Sequence, residues 1–129
     1  MSIERTSLVL TDKEMALYRA TAQKRWAEEQ QNLTRRHERA RALARQAAAF
    51  LKEHFGATKV VTFGSLVHEE LFHFRSDVDL AAWGIDEKLY CRAIGQLLAL
   101  DPDIEIDLVR VEEASPSLRE LIEREGVTV

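Results

Sequence analysis

From Thr11 to Phe55 the chain contains neither glycine nor proline, and Ala, Arg, Glu, Gln and Leu dominate. These residues favour helix, and the two strongest helix breakers are absent. Thr11 or Asp12 suits the start as a cap, and Gly56 suits the stop. Met15, Tyr18, Ala22 and Trp26 recur at helical spacing, as do Leu43, Ala47, Phe50 and Leu51, so each half carries an apolar stripe. Between them, Glu28 to Arg41 is almost wholly polar apart from Leu33, and Asn32 or Thr34 offers a second cap. The stretch predicts one long helix or two consecutive ones. A single helix would extend ~65 Å at 1.5 Å per residue, beyond a compact domain of this size. Its outlying apolar stripe then needs a cover, from a hairpin or from another chain. The Tyr and Trp of the first turns favour a partner or a homo-oligomer formed through this helix.

Past Gly56 the pattern changes. Thr58 to Phe63 is β-branched and predicts a strand, followed by a short helix from Ser65 to about Phe72. Val78 to Trp83 predicts a second strand, stopped by Gly84. Glu87 to Leu100 has helical periodicity through Leu89, Tyr90, Ile94, Leu97 and Leu98, broken by Asp101-Pro102-Asp103. Ile104, Ile106 and Leu108 alternate with Glu105, Asp107 and Val109, as in a third strand. Ser115-Pro116 opens a last helix that Gly126 ends, and Val127 to Val129 can add an edge strand. The expected class is α+β: a small mixed β-sheet with helices packed on it, preceded by a long helix or helix pair. The expected division is a helical extension, 1–56, and a sheet-bearing domain, 57–129.

A chain of 129 residues can bury one core, and its 46% hydrophobic and 31% charged content is that of an ordinary globular domain. No apolar run approaches the ~20 residues that cross a bilayer, and the first residues lack a secretory apolar core, so a cytoplasmic location is expected. Cys91 is the sole cysteine, and a core position is expected for it. The net charge of −4 argues against nucleic acid as a partner. One stretch is basic: Arg35, Arg36, His37, Arg39, Arg41 and Arg45 stand against Glu38 alone. Such a run forms a solvated helix face more often than an RNA-binding one.

The chemistry centres on Ser76-Asp77-Val78-Asp79-Leu80. Strand residues two apart share a face, so Asp77 and Asp79 project side by side while Val78 and Leu80 face the core. Two close carboxylates repel unless a proton or cation lies between them, and a hard divalent cation such as Mg²⁺ suits their oxygens. Gly64-Ser65 follows the first strand, where free backbone N–H groups attract an anion and glycine allows close approach. Asp107 lies opposite Ile106 and Leu108 on the third strand. If that strand neighbours the second, three carboxylates converge, enough for two metal ions, or for one metal plus a general base. Glu105 lies on the same side as Asp107.

Taken together, Phe63-Gly64-Ser65, Ser76-Asp77-Val78-Asp79-Leu80 and Ile106-Asp107-Leu108-Val109 resemble the minimal nucleotidyltransferase branch of the DNA polymerase beta-like superfamily. The resemblance spans roughly Thr58 to Val129. It implies that Gly64 and Ser65 hold the triphosphate and that Asp77, Asp79 and Asp107 form the catalytic, metal-binding triad. It implies transfer of a nucleoside monophosphate, AMP from ATP, to an acceptor hydroxyl with Mg²⁺. Minimal domains of this family often act as antitoxins beside a HEPN-type toxin, which the resemblance implies as a partner and acceptor. One segment departs from the pattern. Many members follow Gly-Ser with a short residue and then Arg-Gly, whereas this chain reads Leu66-Val67-His68-Glu69-Glu70. Glu69 and Glu70 would repel a triphosphate if they faced it, with His68 and Arg75 placed to compensate. The alternative expectation is therefore an interaction module with weak or no turnover, which neutralises a partner by binding.

Overall fold

A computed structural model describes residues 9–129. One helix, α1 (Asp12–His54), accounts for the whole stretch without glycine or proline. Thr11 caps it: the Glu14 amide donates to Thr11 Oγ1 at 3.1 Å, and the Thr11 hydroxyl donates to the Glu14 carboxylate at 3.1 Å. This reciprocal pair satisfies donors that the first turn leaves open. No second helix starts at Asn32 or Thr34. The Thr34 hydroxyl donates back to the Gln30 carbonyl, 3.0 Å away, which leaves the backbone ladder intact. The helix stops where Gly56 takes φ +72° and Ala57 N–H reaches the Leu51 carbonyl at 3.2 Å.

Four strands follow: β1 (Lys59–Phe63), β2 (Val78–Trp83), β3 (Ile106–Arg110) and β4 (Val127–Thr128). Their order in the sheet is β3-β2-β1-β4. β1 pairs antiparallel with β2 and with β4, whereas β2 and β3 are parallel. The parallel pair requires a crossover, supplied by α2 (Tyr90–Leu98). The Tyr90 hydroxyl donates to the Leu108 carbonyl and ties that helix to β3. α3 (Pro116–Glu125) begins at Ser115, whose hydroxyl accepts from Leu118 N–H at 3.3 Å, with proline in its first turn. The class is α+β with a mixed sheet, as the residue pattern predicts.

Alternation along the strands sorts the two faces. Val61, Phe63 and Ala81 form a core cluster with Val111 and Ile122, flanked by Trp83, Val109 and Leu118. Val60, Val78, Leu80, Ala82, Ile106 and Leu108 point the other way and are buried as well, as are Ala40, Ala44, Ala47 and Leu51 of α1 and Ala93 and Leu97 of α2. Burying roughly one such Leu, Ile or Val side chain contributes ~1.5–3 kcal/mol before entropic costs.

Two expectations fail locally. Cys91 is exposed rather than core, because α2 buries Ala93 and Leu97 and the thiol falls on the far side of the helix. The helix expected from Ser65 to Phe72 is absent. Two single 3₁₀ turns replace it, Gly64–Leu66 and Glu69–Leu71, broken at His68, which takes φ −99° and ψ 87°. By contact the chain divides into a unit ending at Thr34 and a second unit, Arg35–Val129. In the first, Leu17, Tyr18 and Trp26 are 69%, 67% and 64% exposed. No helix among the described residues is long and apolar enough to cross a membrane.

Candidate functional site

The parallel register decides where the carboxylates meet. Asp79 on β2 stands directly opposite Asp107 on β3, and Phe63 at the end of β1 stands opposite Asp79 on the other side. Opposed residues on paired strands share a face, so Asp79 and Asp107 lie side by side. Asp77 sits immediately before β2, one alternation from Asp79. Val78 and Leu80 are buried, and this turns both aspartates away from the core on the other side.

Gly64 completes this corner. Its φ is +75°, and a Cβ built there would collide with Asp79 Oδ2. The backbone therefore lies against the carboxylate at a distance no other residue allows. Ser65 follows, half-buried in the same turn. A phosphate bound here would meet the backbone of a tight turn rather than the N-terminus of an α-helix.

Electrostatics shows that Asp77 and Asp79 resist ionisation. Burial, reinforced by Asp107 and then by Asp77, pushes Asp79 up to about 6. Asp77 is raised too, by burial and by Asp107, while the Arg36 guanidinium and His73 pull it back. Burial and neighbouring like charges together disfavour the ionised form in this way. Among the described residues, no three His, Cys, Asp or Glu side chains enclose an ion by themselves. The set is not by itself a complete metal site. It suits a hard cation that keeps some positions for water and for phosphate oxygens, as Mg²⁺ does. Asp77 and Asp79 could contribute to holding it, with Asp107 beside them as a further ligand or as a base.

Arg36, His37 and His73 were not singled out as site residues from sequence, yet they lie close by. Arg36 and His37 belong to the basic stretch expected to be a solvated face. Instead Arg36 Nη2 donates to the Asp103 carbonyl at 2.8 Å, and Arg39 grips Asp101 with two bonds of 2.9 and 2.7 Å. His37 is buried and bonded to the Leu66 carbonyl at 3.0 Å. The signal was its place on the stripe Leu33, His37, Ala40, Ala44, at helical spacing. His68 does not stand free as a compensating charge: its Nε2 lies 3.2 Å from Glu125 and its Nδ1 3.8 Å from Glu70. Glu69, Glu70 and Arg75 are exposed.

The family model of polymerase beta nucleotidyltransferases matches residues 45–129, well over half of the chain. The chain belongs to that family. No curated protein matches it significantly. Among solved structures, this nucleotidyltransferase is similar to a protein assigned to the minimal nucleotidyltransferases, at 27% identity and TM-score 0.59, covering 72% of this chain and 95% of that one. It is similar in fold to a toxin–antitoxin crystallised with AMP-PNP, at 23% identity and TM-score 0.54, covering 62% of this chain and 66% of that one. It is also similar in fold to a complex of tri-AMPylated Shewanella oneidensis HEPN toxin with MNT antitoxin, at 18% identity and TM-score 0.53, covering 69% and 70%. The chain spans about two thirds of the length of these toxin–antitoxin chains. The chain is thus a minimal nucleotidyltransferase domain of the polymerase beta-like superfamily, as its sequence resemblance implies.

Proposed function

We propose that this nucleotidyltransferase moves AMP from ATP to a hydroxyl on a partner protein, and that a HEPN-type toxin is the partner. The observation that carries the reading is the side-by-side placement of Asp79 and Asp107 against the open backbone of Gly64. The structures of an AMP-PNP-bound toxin–antitoxin and of an AMPylated HEPN toxin with its MNT antitoxin, both of this fold, support the choice of nucleotide and acceptor.

Gly64 and Ser65 bind the phosphate chain, with the backbone rather than a charged side chain making the closest approach. Asp77 and Asp79 would hold the Mg²⁺ that accompanies the nucleotide, and Asp107 takes the proton of the attacking hydroxyl. The acceptor oxygen bonds to the α-phosphorus, the bond from that phosphorus to the bridging oxygen of the β-phosphate breaks, and pyrophosphate leaves. Mg²⁺ supplies charge neutralisation on the phosphate oxygens. The protein's share is placement in a site whose carboxylates are fixed by two adjacent strands.

The test is a mass gain of one adenylate on a co-purified partner, dependent on Mg²⁺ and ATP and lost in Asp77→Ala. Absence of Mg²⁺-dependent nucleotide binding by the wild-type chain sinks the reading. A second reading has its own support. Tyr18 and Trp26, eight residues apart and so on one side of the helix, give it an exposed apolar patch suited to binding a partner or a second copy, whatever the site does. Under it, Asp79→Ala neutralises the partner as well as wild type does.

A further inference from the structure

We propose that His37 is a positioning residue, whose Nε2–H fixes the turn carrying Gly64 and Ser65 in place against Asp79. The proposal rests on the nucleotide site described above. After Gly64–Leu66 the backbone turns away from helical geometry at His68, so the hydrogen bonds that would continue a helix are missing. Val67 and His68 amides both fold back onto the Gly64 carbonyl, at 3.1 and 3.3 Å, and Leu71 and Phe72 amides use the carbonyls of His68 and Glu69. The Leu66 carbonyl lies outside that set. Leu66 is buried, and a carbonyl left without a donor there is costly.

His37 supplies the donor from α1, with Nε2 3.0 Å from the Leu66 oxygen. A carbonyl only accepts, so Nε2 must carry the hydrogen. The same ring packs edge-on against Phe72, centroids 4.6 Å apart at 61°. One side chain therefore holds both ends of the segment 66–72, and itself is 5% exposed. Upstream, that segment joins the Gly64 turn, whose backbone presses on Asp79. Downstream, the Ser76 hydroxyl accepts from His73 N–H at 2.9 Å and closes the turn that delivers Asp77. Releasing the Leu66 carbonyl loosens the Gly64 corner while the strands bearing Asp79 and Asp107 keep their own ladder bonds. This separates His37 from an ordinary core residue, whose loss would weaken the whole unit evenly.

Two variants divide the ring's two contacts. His37→Phe keeps the aromatic packing and removes the donor. His37→Gln removes the ring and places an amide N–H where Nε2 stood. Binding of Mg²⁺ with AMP-PNP is measured by calorimetry, and amide hydrogen exchange is followed in residues 64–72 and, for comparison, 78–83. For His37→Phe, Kd rises about tenfold and exchange in 64–72 quickens by a similar factor, with 78–83 unchanged. His37→Gln restores both to within roughly threefold of wild type. Wild-type behaviour in His37→Phe overturns the proposal, as does a His37→Gln variant no better than His37→Phe. If the wild-type chain binds no nucleotide, the proposed function fails, and the exchange comparison still decides the role of His37.

Discussion

Helix α1 runs through two regions that treat apolar residues in opposite ways. In the unit ending at Thr34, Leu17, Tyr18 and Trp26 are exposed, and among its described residues only Met15 and Leu33 are partly covered. In the unit Arg35–Val129, the same helix buries His37, Ala40, Leu43, Ala44, Ala47, Ala48 and Leu51. The buried set is rich in alanine, the exposed set in large side chains. Alanines let a helix approach its own sheet closely and leave little surface for anything else. Large side chains left in water have the character of a surface that gains from a second partner. Periodicity alone finds both stripes. What separates them is side-chain size together with the polar stretch Glu28 to Arg41 between them.

The comparison predicts that chemistry and stability reside in the second unit alone. The largest effect is expected at the carboxylates. Asp79→Ala should lower adenylyl transfer by about 10³-fold, the loss typical when a preorganised charge at a reaction centre is removed. Rates with Mg²⁺ and ATP check it, and a residual rate near wild type would detach activity from this corner.

Next is Gly64→Ala. The new methyl group meets the Asp79 carboxylate at φ +75°, so we expect stability to fall by about 2 kcal/mol and nucleotide affinity with it. Gly56→Ala is the control. It has nearly the same φ, +72°, but nothing within 4 Å of the added carbon, and should cost only about 1 kcal/mol with binding intact. Urea denaturation of both variants separates collision from backbone strain.

The pH dependence comes third. The folded chain holds the Asp79 proton up to about 6, against 3.8 for the unperturbed group. The folded state thus binds more protons within that window. The contribution is fully present below 3.8, fades as pH rises through 6, and is gone above it. Metal-free protein should lose roughly 2 kcal/mol across the window from this group. Asp79→Asn should flatten that part of the profile, and Mg²⁺ with nucleotide should offset the loss at neutral pH. A profile for Asp79→Asn identical to wild type would break the assignment.

The smallest effect on stability belongs to the first unit. Replacing Leu17 and Trp26 together by serine should change the unfolding free energy of Arg35–Val129 by less than about 0.5 kcal/mol. It should nonetheless weaken partner binding or self-association, as sedimentation with and without a partner would reveal. A large loss of stability would show that the exposed side chains support the sheet-bearing unit after all.

Much of the site was legible because strand alternation is a rigid rule. Once Val78 and Leu80 are read as core, Asp77 and Asp79 have only one side left, and the parallel pairing of β2 with β3 adds Asp107. The segment after Ser65 was not legible. Its residues are compatible with helix, and the turn found there instead is bonded to His37, 29 positions earlier in the chain. Arg36 and Arg39 were hidden for the same reason. Their partners at Asp101 and Asp103 lie more than 60 residues away, and a run of arginines looks alike whether it faces water or holds a distant turn. Cys91 was misplaced because one turn of α2 offers apolar residues on several sides, and only the docking of Ala93 and Leu97 selects among them.

The close approach of Gly64 to Asp79 also constrains how this chain can vary. A Cβ at position 64 forces the Asp79 carboxylate to shift, in addition to the backbone strain at φ +75°. Substitutions at the two positions are therefore expected to couple. In a library of double variants, Gly64→Ala with Asp79→Ala should fold better than Gly64→Ala alone, yet be no more active than Asp79→Ala. On the proposed function, a variant that loses the Asp79 carboxylate gives up transfer while keeping the fold and whatever its long helix binds.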